Sequence, residues 1–142
     1  MKKLIIVLGI LFSTSLVSEV SAQCNTEKFV EACIPKLTSG FTFLKSYNID
    51  GQNGAKSKVE YSYVFTKGAT YQVQICNGGE GTDGIILTLY DSSRKAVAST
   101  KYQGSTLSAL AFPCNVTGIY YITYTFEGSA NYCGGSVLGF KR

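Results

Sequence analysis

Hydrophobic positions change their spacing twice along this chain, and each change predicts a different element. Leu4 to Val17 is an apolar stretch broken by Ser and Thr near its end. Phe29, Val30, Cys33 and Ile34 then recur at helical spacing. That spacing predicts one or two helical turns between Thr26 and Ile34, capped by Asn25 and stopped by Pro35. From Phe41 the period becomes two. Phe41, Phe43, Lys45 and Tyr47 alternate with Thr42, Leu44 and Ser46, and the turn dipeptides Asp50-Gly51 and Asn53-Gly54 follow.

The alternation continues to the end of the chain. Val59, Tyr61, Tyr63 and Phe65 form the clearest half-buried strand, and Tyr71, Val73 and Ile75 share a face against Gln72 and Gln74. Asn77 to Gly84 carries four glycines and reads as a long loop. Ile85 to Tyr90 is almost continuously apolar, which predicts a central strand. Further strands are predicted over Ala96 to Thr100, Thr106 to Cys114, Gly118 to Phe126 and Ser136 to Phe140, with Gly104 marking a reversal and Gly128 and Gly134-Gly135 bounding the last turn. About eight short strands near ten residues apart predict an all-β antiparallel sandwich or jelly roll behind a short N-terminal helix.

Several of these segments resemble the bacterial pre-peptidase C-terminal domain. The resemblance rests on Lys67-Gly68-Ala69-Thr70-Tyr71, the Gly/Asp-rich loop, Ile85 to Asp91, and Gly118-Ile119-Tyr120-Tyr121-Ile122, and it covers roughly Val59 to Phe140. It implies a jelly-roll sandwich that serves secreted enzymes as an accessory domain, sometimes binding calcium or polymeric substrate. Here no catalytic domain is attached, and the cysteines and the helix are additions.

The N-terminal stretch sets the compartment. Lys2-Lys3, the apolar run and Val20-Ser21-Ala22 read as a signal peptide over 1–22, cleaved before Gln23. The run is too short for a permanent span, which needs about 20 residues. Cleavage leaves a helical segment over 23–40 and a sandwich over 41–142, with no transmembrane span, destined for the periplasm, the cell surface or the medium. The five cysteines then predict two disulfides and one free thiol. Simple up-and-down alternation puts Cys76 and Cys133 at one end of the sandwich and predicts that they pair. The second bond is drawn from Cys24, Cys33 and Cys114.

Charge and chemistry narrow the function. The net charge of +4 is scattered and makes no basic patch, so nucleic acid is not the expected partner. The chain has no histidine, which removes the usual general base and the triads built on it. Glu80, Asp83 and Asp91 remain as carboxylates for catalysis or for calcium, the one cofactor with candidate ligands; plain turn residues are the simpler reading. The ten tyrosines could offer an exposed row to a sugar or protein, although most fit the core better. Tyr120 sits where a tyrosine corner would, and Tyr120 to Phe126 is apolar on both faces, so a partner or the N-terminal helix should cover the second face.

The resulting expectation is an exported, non-enzymatic binding module acting on an envelope protein or a surface glycan. A structural subunit of an envelope secretion or surface-attachment assembly is the alternative, and a small hydrolase or inhibitor the second. The binding edge is expected at the Asn77 to Gly84 loop and the Glu127 to Tyr132 turn. Tyr132 would be the aromatic anchor, with Glu80 and Asp83 as polar groups whose replacement leaves stability unchanged.

Overall fold

The computed structural model describes residues 24–79 and 81–142, so the segment read as a signal peptide, 1–22, and Glu80 lie outside the described residues. Helix α1 (Thr26–Cys33) ends in a single 3-10 turn at Ile34–Lys36, where Pro35 stops the α-helical bonding. Ten strands follow: β1 (Thr42–Asp50), β2 (Lys58–Phe65), β3 (Thr70–Cys76), β4 (Ile85–Tyr90), β5 (Ala96–Ser99), β6 (Lys101–Tyr102), β7 (Ser105–Thr106), β8 (Ala109–Pro113), β9 (Gly118–Phe126) and β10 (Cys133–Lys141).

Two four-stranded sheets, β1-β10-β3-β8 and β2-β9-β4-β5, pack face to face in jelly-roll order. All pairings are antiparallel. The two strands beyond the expected eight are β6 and β7, a small hairpin that reverses at Gln103-Gly104, both in the left-handed region. Alternation fills the space between the sheets. Tyr71, Val73 and Ile75 of β3 meet Leu87 and Leu89 of β4 and Ile122 of β9, all buried. Phe65 stacks between Tyr71 (3.8 Å) and Tyr120 (4.8 Å). The Tyr120 hydroxyl donates to Val116 O at 2.7 Å, closing a tyrosine corner.

Gln72 and Gln74 are buried as well, because the N-terminal segment lies on the outer face of β1-β10-β3. Their amides stay satisfied: Thr38 N–H donates to Gln72 Oε1, and Gln74 Nε2 donates to Ser108 O. This placement corrects two expectations. The helix does not cover the second face of β9; there Arg94 lies 3.6 Å above the Tyr121 ring while bonded to Glu60, and Ile119 stays 47% exposed. Gly134-Gly135, expected to bound the last turn ahead of a strand from Ser136, lies inside β10, which starts at Cys133. A Cβ on Gly135 would sit 2.6 Å from Val30 N, so the missing side chain lets the helix backbone rest directly on the strand.

The helical segment is fastened by both disulfides, Cys24–Cys133 and Cys33–Cys76, while Cys114 is free and buried. The expected Cys76–Cys133 bond is therefore wrong, although both residues do lie at one pole. Cys76 is paired across from Gly135, two residues from Cys133, so both face the outer side. The N-terminal segment docks there rather than at the Cys114 pole. Its two cysteines each take one partner. Cys33, Cys76 and Val137, with Val30 and Leu37, form a second small core beneath the helix.

Candidate functional site

Four chain segments converge at the disulfide pole and enclose a cleft of about 570 Å³. The helical segment contributes Asn25, Lys28 and Phe29, and the turn after β1 contributes Asp50, Gln52 and Asn53. Asn77 enters from the loop after β3 and Asn131 from the turn before β10, with Cys24 and Cys133 at the base. The size lies within the roughly 300–1,000 Å³ of small-ligand sites. Five side-chain amides thus face one space, with one cation, one carboxylate and one half-buried ring.

Local bonding fixes this geometry. Asp50 Oδ1 accepts from Gln52 N–H at 2.9 Å, and Gly51 N–H donates to Tyr132 O at 2.8 Å, which joins the two turns. Asn77 Oδ1 accepts from Gly79 N–H at 3.1 Å. Asn25 makes no capping bond to α1, contrary to the expected role, so its amide is not consumed by the helix. Among the described residues, six non-glycine positions have positive φ, and four of them, Gln52, Asn53, Asp83 and Tyr132, belong to the loops of this pole. Each costs on the order of 1 kcal/mol. Two disulfides hold the strained turns in place.

The structure gives bonding partners for two of the binding residues singled out from the sequence, Asp83 and Tyr132. Asp83 Oδ2 accepts from Ser129 Oγ and Asn131 N–H, and Oδ1 from Ala130 N–H, each at 3.0 Å. Burial opposes its charge, but these donors outweigh it and hold the carboxyl below its ordinary value. The loop and turn expected to form an edge are indeed joined, and Asp83 is the tie. With three accepted bonds, its replacement is expected to lower stability rather than leave it unchanged. Tyr132 faces inward, with its ring 5.2 Å from Phe126 and its N–H bonded to Ser129 Oγ. Glu80 lies outside the described residues. Asp91 stands at the other end of β4 from Asp83, accepting from Ser93 and Lys95 N–H, so the structure does not bring the three carboxylates together. The amides of the cleft escaped sequence reasoning as a set because they sit in four separate segments. The Asn77 to Gly84 loop and the Glu127 to Tyr132 turn were expected at a binding edge, and they supply Asn77 and Asn131, but Asn25 was read as a cap and the turn after β1 only as a turn.

No protein-family model matches this chain, and no curated protein does. Among solved structures, one described as the crystal structure of Aeromonas hydrophila PliG, a periplasmic lysozyme inhibitor of g-type lysozyme, superposes with a TM-score of 0.43. The two are 14% identical over 72% of this chain and 85% of that one. So loose a superposition transfers neither a residue nor a role.

Proposed function

We propose that this protein is an exported, non-enzymatic binding module that engages an envelope protein or a surface glycan through the amide-lined cleft. The observation that carries the reading is that cleft: five side-chain amides brought together from four segments and braced by two disulfides at one pole. Disulfides persist in oxidising compartments, which supports export together with the signal-like N-terminus. The carboxylates considered for catalysis support a non-enzymatic role. Asp83 is fully engaged as a tie and Asp91 is remote from it. Among the described residues no helix is long and apolar enough to cross a membrane. The likeness to the pre-peptidase C-terminal domain belongs to the same proposal, supported by its strand segments falling on β4 and β9.

The test is capture from a solubilised envelope fraction by the immobilised protein and by an Asn25→Ala/Asn53→Gly variant, Asn25 making no capping bond. Glycine suits the left-handed φ of 53° at Asn53, so the change removes an amide without straining the turn. The expected result is capture by the native protein and loss by the variant at equal melting temperature. Equal capture by both would remove the cleft from the function. An enzyme among cleft-dependent partners, inhibited on binding, would make the module an inhibitor.

A further inference from the structure

We infer that the cleft takes an uncharged, N-acetylated glycan, an inference that rests on the cleft being the binding site. Each carboxamide offers N–H donors beside a carbonyl acceptor. Sugar hydroxyls and acetamido groups are the ligand groups that both donate and accept in the same way. Asn25, Gln52, Asn53, Asn77 and Asn131 reach the space from four segments, so an array of such groups can be met from several directions.

The charges argue for a neutral ligand. Lys28 and Asp50 are the two formally charged lining residues and they offset one another, whereas an anion site would gather arginines or lysines. The apolar lining is one ring, Phe29, which rests against Gly78 and is suited to a sugar face or an acetamido methyl. A protein-binding centre has a different composition, rich in Tyr, Trp, Phe, Met and Arg, and of these the lining holds Phe29 alone. The rigidity of the pole also fits. A weakly hydrophobic ligand gains little from burial, so affinity depends on amides already held in position.

Chemical-shift perturbation on the full disulfide-bonded protein, titrated with tetra-N-acetylchitotetraose and with cellotetraose, tests this. The expected result is perturbation centred on Asn25, Asn53, Asn77 and Asn131, stronger for the acetylated oligomer and unchanged between low and high salt. Asn25→Ala and Asn53→Gly should each weaken binding roughly fivefold to tenfold, the loss of about one hydrogen bond, with melting temperature unchanged. Three results would overturn the inference. One is silence with both oligomers at millimolar concentration while envelope capture still depends on the cleft, which would assign the cleft to a protein partner. The second is salt-sensitive binding lost in Lys28→Ala, which would assign an anion. The third is perturbation centred elsewhere. Capture insensitive to the cleft variants would instead overturn the functional reading beneath it.

Discussion

Tyr47 and Tyr124 lie in one core and differ in what surrounds a single oxygen. Tyr124 Oη donates to Ser136 Oγ at 2.7 Å, whereas Tyr47 Oη is buried without a partner among the described residues. Burial raises the pKa of both phenols, so neither ionises near neutrality. Tyr124→Phe should lower stability by about 0.5–1.5 kcal/mol in denaturant unfolding, because the bond is lost and Ser136 is left unpaired. Tyr47→Phe should leave the midpoint unchanged or raise it, since the hydroxyl there is desolvated with no return. Asp83 gives a second contrast. Replacing it with Asn removes the charge that draws three donors, and should cost about 1–3 kcal/mol. Its folded-state pKa is depressed from 3.8, so the tie contributes fully above that value and its contribution disappears as pH falls through the folded-state value. Acid unfolding curves of the native protein and Asp83→Asn should therefore converge at low pH and separate above about pH 4.

Elements were legible in the sequence where apolar and polar residues alternate. The limits of β3 and β9 follow from period-two alternation, and Pro35 marks the end of α1. The docking of α1 was not legible, because it depends on a glycine that reads as a turn signal. Gly135 and Gly139 lie on the outer face of β10, where added Cβ atoms would meet Val30 N and the Leu37 side chain. They leave a shallow track for the helical segment. Gly135→Ala should be destabilising by about 1–3 kcal/mol, since the disulfides prevent the helix from lifting away. Far-ultraviolet circular dichroism should stay nearly unchanged while the melting temperature falls. The cysteine partners were hidden for a related reason. Strand parity assigns an end and a face, but it carries no information about which pole a separate helix covers. The cleft was hidden further still, because its amides become neighbours only after that docking.

For the molecule as a whole, the two poles have opposite characters. One is braced by disulfides and opens into the cleft. The other closes around Cys114, whose Sγ lies 3.2 Å from Val116 O, and around the tyrosine corner. Tyr120, desolvated and bonded near Cys114, has its pKa pushed up to about 12. A thiol reagent should therefore find no reactive cysteine in the native protein and one per chain in denaturant. A native-state reading of one would show that this pole opens. N-terminal sequencing of exported material should begin at Gln23, two residues before Asn25 of the cleft.

Both cross-links join the beginning of the chain to strands made later, and this orders their formation. Cys33 and Cys76 are 43 residues apart, Cys24 and Cys133 are 109 apart. In a chain delivered from its N-terminus, the shorter bridge can close once β3 has emerged. The longer one must wait until β10 arrives. During that interval Cys24 is unpaired, and Cys114 emerges before Cys133 does. Once Cys33 and Cys76 are joined, Cys114 is the thiol that Cys24 meets before Cys133, so a Cys24–Cys114 bridge is the competing product. Burial of Cys114 by β8 and β9 at the far pole withdraws the competing thiol, so the packing of one end of the sandwich protects the correct oxidation of the other.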